Sequence, residues 1–430
     1  MIFTSSTSSN FDLEFEELLG RGKMDIANVS EVVGGIIDEI KKEKNKALFG
    51  HIAKFDGWEP KEDDDLKVTS ESMLHAYNNI DGQLRDALHL AYDRIKVYHE
   101  KQKPKSWFDD EPNGTILGQR VTPVDSAGLY IPGGKAAYPS SLLMNVIPAQ
   151  VAGVEEIIVC TPTPDNEPNE LLLAACHLCG VTEVYKVGGA SAIAAMAYGT
   201  ESIPKVDVIT GPGNIFVATA KKMVFGDVNI DMIAGPSEIG ILADETANPN
   251  HMAVDMLSQA EHDEMASSIL ITPSQTLANT VKIKIEDWLK KLPREEIARK
   301  SIEMRGAIIV TKDMDEAIEL MNQIAPEHLE IATNDAFELL SSIKHAGAIF
   351  LGHNTPEAIG DYVAGPNHTL PTGGTAKFYS PLGVENFMKK TSIISFSKKG
   401  INDIGEECAL IANTEGLTAH EQSVRVRMDK

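Results

Sequence analysis

From about residue 126, short apolar runs alternate with helical segments, and this alternation constrains the fold of the 430-residue chain more than any other feature. The first runs are SAGLYIPGG, EEIIVCTPT, TEVYKVGGA, KVDVITGPG and DMIAGPSEIGILAD. Most are separated by helical segments, and after residue 249 the pattern resumes with SILIT, GAIIVT and GAIFLG. Strands that are apolar throughout and joined through helices are typical of parallel sheets covered on both faces. The pattern therefore predicts an α/β protein with two such sheets, one around 126–237 and one beyond it.

The regions before and after the alternating part read as helical. Residues 26–103 repeat apolar side chains at helical spacing until the polar, proline-containing stretch KQKPKSWFDDEPNGT interrupts them. The tail, CALIANTEGLTAHEQSVRVRMDK, is amphipathic in places. It is long enough to pack on a partner subunit.

Composition excludes several classes of partner. The formal net charge of -24 opposes binding to nucleic acid or to an anionic membrane. The first residues lack a basic start followed by an apolar stretch, and no window approaches the roughly 20 apolar residues of a membrane helix. These features predict a soluble, cytoplasmic protein.

Four cysteines are spread along the chain, which is not a disulfide framework and suits a reducing cytoplasm. Cys176 and Cys179 end an apolar helix, and no second pair follows at the spacing of a four-ligand zinc site. Core packing is therefore the favoured interpretation of these cysteines.

Small residues follow several of the predicted strands: Gly133-Gly134, Gly188-Gly189, Gly211-Pro212-Gly213-Asn214 and Gly235-Pro236-Ser237. Ligands bind at the carboxyl ends of parallel strands, although tight strand-to-helix turns need glycine in any case. The dinucleotide fingerprint is broken, because GPGNIF has Phe216 in place of the third glycine. Asp231 follows these glycines at roughly the distance along the chain where a ribose-binding acid would stand. With the fingerprint broken, NAD cannot be inferred from this motif.

Two segments carry side chains suited to a metal ion or to proton transfer. In AVDMLSQAEHDEMASS, Gln259 and His262 are three residues apart and would share one face of a helix. Imidazole is a common zinc ligand, and a carboxamide oxygen can supplement it. In APEHLEIAT, Glu327 stands beside His328 after a proline, on a segment expected to be irregular. A carboxylate beside an imidazole suits acid–base chemistry.

Two further segments add carboxylates and histidines. GDYVAGPNHTLPTGGTAK offers Asp361 and His368 in a loop rich in glycine and proline, and NTEGLTAHE offers Glu415 and His420 near the end of the chain. If these side chains gather, they could build a metal site with a general base.

Seven short motifs lie in the order and spacing of one family: LYIPGGKAAYPSS, ITGPGN, DMIAGPSE, LSQAEHD, APEHLE, VAGPNHTLPTGG and EGLTAHE. From about residue 25 to 427 the chain resembles the histidinol dehydrogenases. The resemblance implies an NAD-linked oxidation of L-histidinol through the aldehyde to L-histidine, with one zinc ion per subunit.

The resemblance also implies roles for individual residues. The zinc ligands would be Gln259, His262, Asp361 and His420. His328 would be the general base, and Glu327 would activate the water that hydrates the aldehyde. These six residues would contact the substrate together with Ser237, His368 and Glu415, and the contacts to NAD would include Tyr130 and Asn214.

A further implication is an intertwined homodimer of two incomplete Rossmann-like domains, in which Glu415 and His420 act in the partner's active site. The expected division is an N-terminal arm (1–25), a discontinuous α/β domain (26–129 with 238–381), a second α/β domain (130–237) and a C-terminal extension (382–430).

The sequence departs from the family pattern at three positions. Ser191 stands where the family usually has Gln at a cofactor contact, Phe216 replaces a common Tyr, and Lys377 replaces a common Arg. The first departure bears on NAD binding, and none touches the proposed zinc ligands or the catalytic pair.

Three alternative functions remain open at this point. Relatives that oxidise sulfonated diols would be expected to lose the residues that recognise imidazole and amino groups. A zinc hydrolase would need no nicotinamide and would have no use for the glycine turns. A non-catalytic binding protein would not be expected to keep both Glu327 and His328.

Overall fold

The computed structural model describes residues 1–21, 27–133 and 138–429. The expected Gly133-Gly134 turn therefore lies partly outside the described residues, as do the end of the expected N-terminal arm and the middle of LYIPGGKAAYPSS. Within the described ranges, no helix is both long and apolar enough to cross a membrane.

Strands and helices follow one another along most of the chain. The strands are β1 (Ile2–Ser5), β2 (Trp107–Asp110), β3 (Ile116–Pro123), β4 (Ser126–Tyr130), β5 (Glu156–Thr161), β6 (Glu183–Lys186), β7 (Val208–Thr210), β8 (Asn229–Ile230), β9 (Glu238–Ala243), β10 (Ser267–Thr272), β11 (Ala307–Val310), β12 (His328–Ala332), β13 (Ala348–Leu351) and β14 (Met388–Ser395). The helices are α1 (Phe11–Arg21), α2 (Ala27–Glu43), α3 (Asn45–Phe55), α4 (Ser70–Asn79), α5 (Gly82–Glu100), α6 (Pro139–Ala152), α7 (Glu170–Leu178), α8 (Gly189–Tyr198), α9 (Ile215–Val224), α10 (Pro249–Ala260), α11 (Gln275–Leu289), α12 (Glu295–Arg305), α13 (Met314–Ile324), α14 (Ala336–Leu339), α15 (Glu357–Tyr362), α16 (Lys398–Thr414) and α17 (Thr418–Arg425).

The larger sheet has six parallel strands in the order β1-β11-β10-β9-β12-β13. Apolar side chains of α10, α11 and α12 bury one face, and those of α1 and α13 bury the other. The inner strands β9, β10, β11 and β12 are buried along their whole length. Burial on both faces explains why β9, β10 and β11 carry apolar runs instead of alternating apolar and polar residues.

The smaller sheet has five parallel strands in the order β6-β5-β4-β7-β8. Helices α4, α5, α6 and α7 contribute to the apolar core on one face, and α2, α3, α8 and α9 contribute to the core on the other. Both sheets are thus covered by helices on both faces, which confirms the predicted α/β class.

Membership of the two sheets differs from the division expected from the sequence. Residues 2–5 form a strand that pairs with β11 and so belong to the larger sheet instead of a separate arm. The helices between residues 27 and 100, expected to join 238–381, pack instead on the smaller sheet, because their apolar faces meet the side chains of β4, β5 and β6. β4 itself lies in that sheet although most of it precedes residue 130.

A third sheet is antiparallel and was not anticipated. β14 pairs with β3 from Met388↔Pro123 to Ser395↔Ile116, and β3 also pairs with β2. These strands are largely exposed and mix polar with apolar residues, so they lack the apolar pattern that marked the other strands. The C-terminal extension therefore begins with a strand joined to the chain's own β3, and α16 and α17 follow it.

Candidate active site

Glu327 and His328 lie at the amino end of β12, which pairs with β9 on one side and β13 on the other. Helix α13 ends at Ile324, Ala325 adopts a left-handed conformation (φ 51°), and Pro326 follows before the strand starts. The segment expected to be irregular is therefore the start of a central strand. Both side chains are buried, with exposed fractions of 6% and 4%.

The main chain of Glu238, on the neighbouring strand β9, orients both of these side chains. Its N–H donates to Oε2 of Glu327 at 2.9 Å, and its carbonyl oxygen lies 3.1 Å from Nδ1 of His328. Because a carbonyl oxygen can only accept, Nδ1 carries the proton in this bond and Nε2 of a neutral imidazole is left with its lone pair. His328 is thus held in the tautomer whose Nε2 can accept a proton.

Three carboxylates surround His328. Nε2 lies 3.3 Å from Oδ1 of Asp361, and Nδ1 lies 3.8 Å from Glu327 and 3.9 Å from Glu357. Burial alone would lower the pKa of His328, but the charges of Glu357, Glu327 and Asp361 outweigh it and raise the pKa well above its usual value.

The carboxyl groups respond in different directions to the same surroundings. Burial raises the pKa of Glu327 to about 7, against the opposing effect of His328. Burial likewise opposes ionisation of Asp361, yet the hydrogen bond and charge of His328 hold the pKa of this carboxyl below its usual value. One carboxylate thus stays charged beside the imidazole, while Glu327 can gain or lose a proton near neutral pH.

Possible metal ligands gather next to this pair. Ligand atoms of His262, Glu357 and Asp361 all lie within 4.8 Å of one another. Asp361 and Glu357 are one turn apart on the short helix α15, so they share a face. His262 lies two residues past the end of α10, and part of its side chain is exposed to solvent. The protein around the rest of the side chain displaces water, and this loss of hydration lowers the pKa of the imidazole.

Gln259, in the last turn of α10, is fully buried. Within the described part of the chain, neither its Oε1 nor its Nε2 has a hydrogen-bond partner. A buried amide left without a partner costs about 1–3 kcal/mol, so its position calls for a ligand. Zinc accepts histidine, carboxylate and other oxygen ligands. The residues present therefore fit a zinc ion.

The predicted site residues differ in local structure from what the sequence indicated. Gln259 and His262 do not share a helix face, because the helix ends at Ala260 between them. Asp361 lies on α15, not in a loop. Glu357 was missed, although its spacing of four from Asp361 directly after Pro356 is a signal that could have found it.

Ser237 and His368 complete the walls around the pair. Ser237 directly precedes β9 and hydrogen-bonds to Glu327, which favours the charged carboxylate. Nδ1 of His368 bonds to the carbonyl oxygen of Asp361 at 2.8 Å, and its Nε2 lies 3.3 Å from Oγ of Ser141. His368, His328 and Asp361 line one cavity of about 990 Å³, which has room for a small substrate.

Tyr130 and Asn214, the expected cofactor contacts, both lie at the carboxyl end of the smaller sheet. The buried hydroxyl of Tyr130 accepts a hydrogen bond from the Gly189 N–H at 3.2 Å, and burial raises its pKa to about 12. The side chain of Asn214 caps α9 by accepting from the N–H groups of Phe216 and Val217. Both side chains therefore have structural partners of their own.

Two residues considered above for cofactor binding make contacts with other side chains. Asp231 is buried in an ion pair with Lys221, and its Oδ2 accepts from the Gly211 N–H at 2.9 Å, so it is not placed as a ribose-binding acid. Ser191 is buried, and its hydroxyl lies 3.0 Å from Nδ1 of His51. The Ser191 side chain therefore faces α3, the helix that carries His51.

Comparison with known proteins decides the family. The family model described as Histidinol dehydrogenase matches residues 19–428. The chain belongs to the histidinol dehydrogenase family. It is 82% identical over 430 residues to a histidinol dehydrogenase of Sulfurimonas denitrificans, covering 100% of both chains. It is 66% identical to one from Wolinella succinogenes, over 99% of this chain and 98% of that one.

A solved structure agrees with this assignment. A crystal structure of histidinol dehydrogenase from Elizabethkingia anophelis matches with a TM-score of 0.93 and 36% identity, over 99% of this chain and 98% of that one. The chain is thus an oxidoreductase by family, with the fold of that relative along nearly its whole length.

Glu415 and His420 remain apart from the cluster in the single chain. Both are exposed, Glu415 at the end of α16 and His420 on α17. Among the described residues, the cluster of possible ligands comprises His262, Glu357 and Asp361 without either of them. Their predicted action in a partner's active site stays a prediction.

Proposed function

We propose that this chain catalyses the four-electron oxidation of L-histidinol, through L-histidinaldehyde, to L-histidine, with zinc and NAD as cofactors. The observation that carries the proposal is the pair Glu327 and His328, which the main chain of Glu238 orients next to Asp361 of the possible ligand cluster. The substrate is inferred from membership of the family, and the acid–base chemistry is inferred from this geometry.

Proton removal from the alcohol falls to His328. Its Nδ1–H is engaged with the carbonyl oxygen of Glu238, so Nε2 accepts the hydroxyl proton as the substrate carbon gives up its hydride. The raised pKa of the imidazole stabilises the proton once it is transferred, and it also means that His328 must be in its neutral form before the hydroxyl proton can move. NAD would take up one hydride in each of the two oxidation steps.

Hydration of the aldehyde falls to Glu327. With a pKa of about 7, its carboxylate can take a proton from water as the water oxygen attacks the aldehyde carbon. The carbonyl oxygen takes up the proton that His328 removed in the first step, which gives the hydrate and returns the imidazole to its neutral form. His328 then accepts a hydroxyl proton of the hydrate while the second hydride leaves, and the carboxylic acid remains. Retention between the two steps protects the reactive aldehyde from solvent.

Four residues would hold the zinc ion: Gln259, His262, Asp361 and, from a second copy of the chain, His420. A bound zinc ion would act as a Lewis acid that binds and orients the amino alcohol. Glu415 of the second copy, Ser237 and His368 would contact the substrate, and Tyr130 and Asn214 would contact NAD.

The same proposal includes a homodimer, because His420, one of the proposed ligands, is exposed and apart from the other ligands. Large apolar side chains are exposed on the third sheet and on α16, as expected of a surface that packs on a partner: Trp107, Phe108, Ile394, Leu410 and Ile411. The absence of a cysteine framework is consistent with action in the cytoplasm.

The deciding experiment measures NADH formation from L-histidinol with zinc-loaded protein and with protein stripped by a chelator. We expect two NADH per histidinol, loss of activity on stripping and recovery when zinc returns. His328→Asn, loaded in the same way, is the matched control and should retain zinc while losing turnover. Folded, zinc-loaded wild-type protein that forms no NADH would show that the assignment is wrong.

A further inference from the structure

Two carboxyl groups behind the active site contact each other. Asp255 on α10 and Glu330 on β12 are joined by a side-chain hydrogen bond. Glu330 is 3% exposed, and its Oε1 also accepts from the backbone N–H of Glu357 at 2.7 Å. The pair therefore links α10, β12 and the first residue of α15.

Each of these three elements also carries a residue of the proposed site. On the helices that residue lies one turn away from the contact, and on the strand it lies two residues away. Asp255 lies four residues before Gln259, one turn away on the same face of α10. Glu330 lies two residues after His328, so both side chains leave the same face of β12.

Glu357 lies four residues before Asp361 on α15, which repeats the spacing seen on α10. A single contact thus links the elements that carry an amide, an imidazole and a carboxylate about 30 to 100 residues apart in the chain.

We propose that Asp255 and Glu330 form a positioning pair, which holds Gln259 and Asp361 in the arrangement that binds the metal ion and keeps the general base His328 in register with them. The inference rests on the proposed zinc site, since it assigns the pair a role toward that ion. Neither carboxyl group belongs to the ligand cluster itself. Groups that orient metal ligands from behind typically contribute 10–100-fold to metal affinity, roughly as much as is expected here.

The chemistry of the contact agrees with this role. A hydrogen bond between two carboxyl groups needs one shared proton, and this bond gives the buried carboxyl group of Glu330 a partner in place of water. A separate cavity of about 360 Å³ borders both residues and Pro356, so α15 has space to shift when the link is lost.

Two pairs of substitutions test the inference. Glu330→Ala removes both hydrogen bonds, whereas Glu330→Gln keeps an oxygen for the Glu357 N–H and a donor for Asp255. Asp255→Ala and Asp255→Asn form the equivalent pair on α10 and replace the first pair if Glu330→Ala does not fold. Ser274→Ala, which removes the N-terminal cap of α11, is the control for a general loss of stability.

The readouts are zinc affinity, by competition with a chromophoric chelator, and amide hydrogen exchange across residues 357–362 in metal-free protein. We expect Glu330→Ala to lower zinc affinity by about 10–100-fold and to speed exchange in this segment. Glu330→Gln should retain most of the wild-type affinity, and Ser274→Ala should change neither readout.

Zinc affinity in Glu330→Ala equal to that of the wild type would overturn the inference, as would an equal loss in Glu330→Gln. If the wild-type protein itself takes up no zinc, the proposed function fails, and amide exchange then decides the inference alone. In that case, equal exchange in Glu330→Ala and the wild type would contradict it.

Discussion

Gly211 follows β7 at the point where the chain turns toward Asn214, and an added methyl group there has no room. Its φ of +114° is one that side chains of L-residues rarely adopt, and a Cβ would lie 2.0 Å from the carbonyl oxygen of Tyr130. Lys221 donates to its carbonyl oxygen at 2.9 Å, and its own N–H donates to Asp231 at 2.9 Å. The backbone is therefore held from both sides, and Gly211→Ala cannot relax freely.

A second glycine allows the two contributions to the cost, backbone strain and overpacking, to be separated. Gly211 precedes α9, and Gly226 follows it. Gly226 has a φ of +107°, and a Cβ there would meet nothing within 4 Å. Gly226→Ala should therefore cost only the backbone strain, about 1–3 kcal/mol. Gly211→Ala should add an overpacking cost of about 1–3 kcal/mol or more. To restore a separation of 3.0 Å, the ends of β4 and β7 would have to move apart by about 1 Å.

Urea unfolding of the two variants measures the difference, and NAD titration with steady-state kinetics measures its effect on the site. We expect Gly211→Ala to be less stable than Gly226→Ala by about 1–3 kcal/mol and to lose about 10²-fold in kcat/KM, because a displacement of 1 Å can have that effect. Gly226→Ala should retain wild-type kinetics. Equal unfolding free energies for the two variants would refute the steric reasoning.

Three further outcomes follow from single side chains. Gln259→Leu removes a buried amide that has no hydrogen-bond partner among the described residues, so the free energy of unfolding of the metal-free protein should rise by about 1 kcal/mol or more. Zinc affinity measured by chelator competition should fall at least about tenfold, and a loss of metal-free stability would contradict this account. His328→Asn should lower kcat by about 10²–10⁴-fold with little change in the KM for histidinol, and a loss confined to KM would argue against a role in proton transfer. In a titration with a disulfide reagent, exposed Cys408 should react at once. Burial raises the thiol pKa of the other three cysteines, so their reaction should wait until urea unfolds the chain. Immediate reaction of all four would show that the described core is open.

Most strands and helices were predictable because their signals are local. β4 to β7 and β9 to β11 carry continuous apolar runs with glycine turns or helical segments beside them, and the structure confirms each. β12 was missed as a strand because Pro326 and two titratable residues hide its start. The strands of the third sheet were missed because their exposed surfaces mix polar with apolar residues.

The pairing of these elements was less predictable. β1 pairs with β11, about 300 residues later in the chain, and no local pattern connects the two. The helices of residues 27–100 have apolar faces that suit either sheet by composition, so the sequence could not show that they cover the smaller one. Such long-range contacts depend on how complementary surfaces meet, not on the residues that surround each element in the chain.

The amino-acid sequence by itself determined the α/β class, the order of most elements, the family and the residues Glu327 and His328, since each rests on local pattern or on motif order. Only the tertiary structure decided that the main chain of Glu238 orients both side chains from about 90 residues away. It also decided that Gln259 is buried with no partner in the described ranges of the chain and that Glu357 joins the cluster of possible ligands. The physical reason is that composition and periodicity report on neighbours in the chain, whereas hydrogen-bond geometry and burial arise only when distant strands pair.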